Sequence, residues 1–536
     1  MSTDFDVVII GSGPAGVSAA FPLVEAGLRV LMLDGGKQAS APRPAENFIQ
    51  ERATQDDQWQ WMVGEHFHPL QMRDALSPKL RVPGHAHVFD GFREGNRIDT
   101  DRFVALGSLA PGGLSNAWGC GVARLTGAEL DDYPCDPDEL ASSYQRVARR
   151  IGISGPASDE LSDYFALDGW GQREIPLDTI HAAMQRKYLA RRDGLAAEGF
   201  RMGRFRLAAL SEDRGERLGC NQSGNCLFGC ERRSLYSATE DLLLLKRFDN
   251  FHHAELVVED LEQQGQGWLV RGTQPRDGSP GAFRAGQVYL AAGTIASTRL
   301  ALNALQLAAP VRMLSCPTAA FILWLPTFLG AHRTNAFGSA QLAFVQKLRE
   351  DVTALGSTFS TTGLPMSEFA RHLPLRRRYA VDFLRALMSS CVVGNMFLPG
   401  HLSDNQAMLT PDGSLRITGG HHGDVADLLK LAASRLRRAY ARLGAFMLPT
   451  SFTPGPPGGD IHYAGSLPMR SQPVRGQTDA DGQLHGLSGL YVVDGASLPS
   501  LSEKSHTLTI MANADRIANA AVRRMQRQPI QRVFHD

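Results

Sequence analysis

A bias of charge is the first thing missing: Lys plus Arg and Asp plus Glu number 55 each, so this 536-residue chain has a formal net charge of zero. No overall field draws it toward nucleic acid, which is excluded as a partner, or toward an anionic membrane. Cysteine is scarce as well. Seven in so long a chain are too few for a disulfide scaffold, and in a reducing compartment they stay thiols or metal ligands, so their spacing carries more information than their number. Long apolar runs are also absent. The most apolar stretch, TAAFILWLPTFLGA from Thr318 to Ala331, is shorter than the ~20 residues a spanning helix needs and contains Pro326. It reads as a core or substrate-domain strand, with a shallow peripheral membrane contact as the alternative. The first strand-like run begins at Phe5, which leaves no room for a signal peptide, and the expected compartment is the cytoplasm. No repeat or low-complexity segment stands out.

What is present is ordinary globular composition, 43% hydrophobic and 21% charged, enough for two to four domains by length. FDVVII at 5–10 reads as a buried strand, GSGPAG turns the chain into a helix through Ala26, and LRVLML leads to a second strand ending at Asp34. This is a βαβ unit with a dinucleotide fingerprint. Gly11 permits the tight turn, Gly13 lets backbone approach a pyrophosphate, and Gly16 allows close helix packing. The helix N-terminus at Pro14 and Ala15 offers partial positive charge to phosphates. Asp34, about twenty residues on, is placed to accept ribose hydroxyls. The fingerprint alone does not separate FAD from NAD. From Lys37 to about Asp99 the sequence is polar and proline-containing, an excursion expected to cover the cofactor. Residues 250–272 alternate as a strand pair around Gln263–Gly267, and QVYLAA at 287–292 returns to the first sheet.

The C-terminal GLSGLYVVDGASLPSLSEKSHTLTIMANADRIANA, together with GSGPAG, GGLSNAWG at 112–119, LAAGTIASTRLAL at 290–302 and IHYAGSLPM at 461–469, resembles the glucose-methanol-choline family of flavoenzymes. The resemblance covers the flavin domain, with residues 303–450 matching only loosely. It implies FAD, an α/β fold of two domains, and a Rossmann-like FAD-binding domain interrupted by a substrate domain on an antiparallel sheet. The FAD-binding part is expected at 1–48, 99–155, 202–303 and 484–536; cofactor-covering excursions and the substrate domain take 49–98, 156–201 and 304–483. By the same resemblance Asp494 and Gly495 meet the pyrophosphate and ribityl chain. Gly113, Ser115 and Asn116 lie near the isoalloxazine, Val257 or Val258 near the adenine, and Ala292 and Thr507 at the cofactor. Thr509 is read either as a hydroxyl near the pyrimidine edge or as an ordinary helix side chain back-bonded to its own chain.

Moving hydride from a carbinol carbon to flavin needs a base for the hydroxyl proton and a donor near the developing alkoxide. The family positions for these groups fall on His462 and His506, the His/His variety, with the choice of base left open. The expected reaction is oxidation of an alcohol, on a sugar or sugar derivative, with a hydrophobic alcohol such as a sterol or terpenoid as alternative. A flavin-binding partner subunit without turnover is the rival from another class. Cys220, Cys226 and Cys230 in LGCNQSGNCLFGCERRS have C-x5-C-x3-C spacing, the three-ligand register of a [3Fe-4S] cluster, against which stands a set of buried thiols. A cluster implies an electron-acceptor protein or quinone.

Overall fold

The structure is a computed structural model describing residues 4–39, 82–332, 335–361, 370 and 373–527. Most of the excursion expected over the cofactor, 40–81, lies outside the described residues. The apolar run FDVVII forms the strand Phe5–Ile10, buried from Val7 onward. It lies parallel between Val30–Asp34 and Pro280–Leu290. A run of four consecutive buried residues is what a parallel strand covered on both faces requires. Phe251–Glu255 continues the sheet beyond Val30–Asp34, and Leu490–Val492 joins parallel to Pro280–Leu290. The expected strand pair is present as Val257–Gln264 and Gly267–Thr273, antiparallel and joined to the same sheet.

Helices cover this sheet on both faces. Pro14–Glu25, Pro137–Ile151 and Thr507–Arg527 pack together on one side, burying Val17, Leu23, Tyr144, Val147, Leu508 and Met511. Thr294–Leu305 lies on the other with Ile295, Leu300 and Leu302 in a second core. Each fully buried Leu or Val contributes about 1.5–3 kcal/mol, which is why a helix starting at residue 507 is held against one starting at 14.

A second seven-stranded sheet has the order 446–447, 318–324, 391–397, 353–360, 340–347, 200–204, with 453–454 beside 318–324. Its pairings are antiparallel throughout. The apolar run at Thr318 is thus a core strand, with Ala319, Phe321 and Leu323 buried beneath the helix Val425–Arg442. A small four-stranded sheet is made of 98–101, 415–418, 405–409 and 311–313, drawn from segments interspersed with the strands of the other two. Among the described residues no helix is long and apolar enough to cross a membrane.

Candidate active site

Three neighbouring parallel strands, 5–10, 280–290 and 490–492, each end in a turn: Gly11 to Gly13, Ala292–Gly293 and Asp494–Gly495. Ligands of open α/β sheets bind beyond such carboxyl ends. A cavity of about 520 Å³ starts there and continues between the first and second sheets to His462 and His506.

At the nucleotide end, Gly11 has φ +107°, and a Cβ on it would sit 2.2 Å from the Ala291 carbonyl oxygen. A Cβ on Gly16 would fall 1.9 Å from the Gly11 carbonyl oxygen. Neither position tolerates a side chain, so the helix closes directly onto the strand end. Ser12, Gly13, Pro14 and Ala15 line the cavity, whereas Gly16 stands behind it. Gly113 faces Gly13 across the turn, where a Cβ would come within 3.2 Å of the Gly13 Cα. Asp34 lines the cavity and is already held in place. Its carboxylate accepts the Ser12 hydroxyl and the Gly36 N–H at 2.9 Å, and lies 2.8 Å from His253 Nε2. His253 was missed from the sequence; it reaches Asp34 because Phe251–Glu255 pairs with Val30–Asp34, a contact across 219 residues that no local motif announces. Val257 and Val258 line the same end.

Further along, Asp494 is buried and accepts the Ser297 hydroxyl and the Ala496 N–H at 3.0 Å. Burial pushes its carboxyl up to about 6. Ser297 also accepts the Ala292 N–H at 3.2 Å. Gly113, Ser115, Ala292, Asp494, Gly495 and Thr507 all line the cavity. Two expected cofactor contacts do not. Asn116 donates to the carbonyls of Pro111 and Gly113 at 2.8 and 3.0 Å and accepts from Ser237 at 2.8 Å; it braces the glycine turn from behind. Thr509 is buried and shares a 2.6 Å hydrogen bond with the Tyr144 hydroxyl, on the helix side turned away from the cavity.

The cavity therefore joins a glycine turn at a helix N-terminus, a carboxylate at ribose distance along the chain, and a second turn at Asp494. These donors and acceptors fit an FAD laid along the strand ends.

At the other end, the rings of His462 and His506 meet edge to face with centroids 4.9 Å apart. Phe397 packs on His462 at 4.9 Å. His462 follows Ile461, whose φ of +62° is left-handed, a strained conformation for a β-branched residue that turns the His462 ring toward the cavity. Its Nδ1 is buried without a hydrogen-bond partner. Burial lowers His462 to about 4, and lowers His506 well below the usual histidine range, with the His462 ring adding to the effect. Both rings are therefore neutral at physiological pH. Asp460, absent from the sequence reading, is buried beside them. It accepts the N–H groups of Cys316 and His462 at 2.7 and 3.2 Å, and burial pushes it up to about 7. Thr318, Ala320, Ser357, Phe359 and Asn395 from the second sheet, with Trp118, complete this end. Among the described residues no Lys or Arg lines the cavity.

The cysteine loop lies over the cavity through Gly224 and Leu227. Cys226 is packed in an apolar cluster with Phe165, Phe205 and Phe337. The Cys220 sulfur accepts the Gln222 N–H at 3.3 Å, and burial pushes its thiol up to about 11. Among the described residues the one Cys/His/Asp/Glu group with ligand atoms all within 4.8 Å is Cys316, Asp460 and His462, not the three loop cysteines.

Residues 404–514 match the family model of GMC oxidoreductase, and residues 5–110 that of pyridine nucleotide-disulphide oxidoreductase. No curated protein sequence matches the chain. Among solved structures it is similar to pyridoxine 4-oxidase from Mesorbium loti, with a TM-score of 0.60 and 15% identity over 98% of this chain and 100% of that one; that likeness is one of fold.

Proposed function

Taking as premise that this chain is a GMC-type, FAD-dependent oxidoreductase acting on alcohol CH–OH groups, we propose that its substrate is a small neutral alcohol carrying a flat ring, oxidised between His462 and His506. The observation that carries this reading is the paired, neutral histidines at the end of the cavity. When bound, FAD accepts a hydride from the carbinol carbon. The chain's own residues handle the proton: His462 takes it from the substrate hydroxyl, and His506 donates a hydrogen bond to the same oxygen, leaving the carbonyl product. A neutral imidazole can accept a proton, and His462 stays neutral until pH falls to about 4.

Aromatic walls from Trp118, Phe205, Phe359 and Phe397, with no Lys or Arg lining the cavity among the described residues, support a neutral, ring-bearing substrate over a phosphorylated or carboxylated one. The fold's similarity to a pyridoxine 4-oxidase accords with this choice. A sugar is the second reading, favoured by Asn395 and Ser357, which offer polar groups on one wall and bond to each other at 2.8 Å. The flavin half of the chain is read as the parts around the first sheet, and the substrate half as those around the second. Cys220, Cys226 and Cys230 are read as thiols, because a protonated Cys220 and an apolar cluster around Cys226 suit packing better than iron; iron analysis of anaerobically purified protein should find near zero iron per flavin.

The test is anaerobic mixing of the flavoprotein with pyridoxine, benzyl alcohol and a panel of sugars. Bleaching of the oxidised flavin band by the aromatic alcohols, faster than by sugars, is expected. His506→Ala should slow that reduction at least ~100-fold. No bleaching with any alcohol would remove the redox reading, and faster bleaching by sugars would favour the second.

A further inference from the structure

Among the described residues three buried polar atoms at this end of the site have no hydrogen-bond partner, Asp460 Oδ1, His462 Nδ1 and His506 Nδ1, and the first two adjoin each other. Buried orphans are uncommon and call for an explanation. Those first two belong to residues that face each other, with Asp460 Oδ2 4.0 Å from His462 Nδ1. The Asp460 side chain is 0% accessible, whereas 20% of the His462 side chain is exposed. The buried nitrogen is Nδ1, so the accessible edge of the ring is the one bearing Nε2.

Asp460 is fixed by two backbone donors. The N–H groups of Cys316 and His462 both point at Oδ2, so the carboxyl cannot rotate away without losing them. The left-handed Ile461 between the two residues folds the chain so that residues 460 and 462 both turn inward. A shift of about 1 Å in the imidazole brings Nδ1 within hydrogen-bond distance of the carboxyl, where 2.7–3.2 Å is usual.

We infer that Asp460 is the positioning residue for His462, holding a proton on Nδ1 so that the Nε2 lone pair faces the substrate hydroxyl. The inference rests on His462 being the base. An ionised carboxylate accepts from Nδ1–H and fixes that tautomer, and it stabilises the imidazolium formed when Nε2 takes the substrate proton. A protonated Asp460 does the reverse: it donates to Nδ1 and moves the ring proton to Nε2, where it blocks base catalysis. The groups facing Asp460 are Cys316 from the segment after Val311–Met313, Tyr463 on its own segment, and His462; Glu503 lies beyond Cys316, and His506 beyond His462. None is cationic at neutral pH. The carboxyl therefore keeps its proton up to about pH 7, and flavin reduction should rise as pH increases through that value.

The experiment compares wild type, Asp460→Asn, His462→Gln and the double variant as FAD-loaded enzymes, with reduction by benzyl alcohol or pyridoxine followed anaerobically from pH 5 to 9. In parallel, 15N-histidine spectra, with His462 assigned by its loss in His462→Gln, report the ring tautomer without any substrate. Asp460→Asn should bind FAD, slow reduction 10- to 100-fold at pH 8, lose the limb near pH 7, and shift the His462 proton toward Nε2. The double variant should be no slower than His462→Gln alone, since both changes act through one ring. Folding is not the obstacle: a buried carboxyl with a raised value destabilises the fold as pH rises above its unfolded value near 4, so Asp460→Asn should be at least as thermostable as wild type at pH 8. A wild-type rate, pH profile and tautomer in Asp460→Asn would overturn the inference alone, as would additive losses in the double variant. A wild-type rate in His462→Gln would overturn both this inference and the reading of His462 as base.

Discussion

Thr509 and His253 show how much a side chain's role depends on what stands opposite it. A threonine three residues after a site histidine reads equally well as a cofactor contact or as an internal bond. Here its hydroxyl is taken by Tyr144, whose own oxygen also accepts the Leu125 N–H at 3.3 Å. Thr509→Val removes the hydrogen-bond partner of the Tyr144 hydroxyl in a sealed site, which costs about 1–3 kcal/mol. The expected outcome is a lower midpoint in urea with an unchanged flavin spectrum and flavin content. A loss of bound flavin at unchanged stability would return Thr509 to the cofactor. His253 was invisible for the opposite reason: its sequence neighbours, FHHAE, carry no signal, and only the pairing of its strand beside Asp34 gives it a partner.

At the scale of elements, the contact between the first strand and its helix is the most demanding. Gly16 lies in the first turn of Pro14–Glu25, and an added methyl would meet the backbone oxygen of Gly11, which cannot swing aside as a side chain could. Gly16→Ala should push the helix off the strand end, lowering stability by about 1–3 kcal/mol and reducing the ratio of flavin to protein absorbance after purification. Gly423→Ala, where nothing lies within 4 Å of the new methyl, is the control and should leave both unchanged. Elements with long apolar runs were legible in advance, as the strand at Phe5 and the strand at Thr318 illustrate. The small parallel and antiparallel pairings around 98–101 and 405–418 were not, because strands of four or five residues carry too little pattern to distinguish from loop.

Over the whole molecule, the cavity draws its walls from residues as far apart as Ile10 and Ile510 and from both large sheets. A ligand filling such a space binds only the folded chain and stabilises it by mass action, about 4 kcal/mol at a thousandfold excess over its dissociation constant. Removing FAD should lower the unfolding temperature, and adding it back should raise the midpoint progressively with concentration. A midpoint insensitive to FAD would mean that the cavity is not where the flavin resides. The amino-acid order by itself determined the features that depend on local backbone: the glycine turn, the acid ending the second strand, the two histidines set in short recognisable segments, and the layered α/β class. What only the tertiary structure decided is which side chains meet. Asp460 stands beside His462 because of a left-handed residue between them, His253 stands beside Asp34 because two strands pair in register, and Asn116 and Thr509 turn away because nearer partners claim them. A motif specifies where the chain bends; partners separated by hundreds of residues are set by strand register and helix packing, and no stretch of sequence encodes those alone.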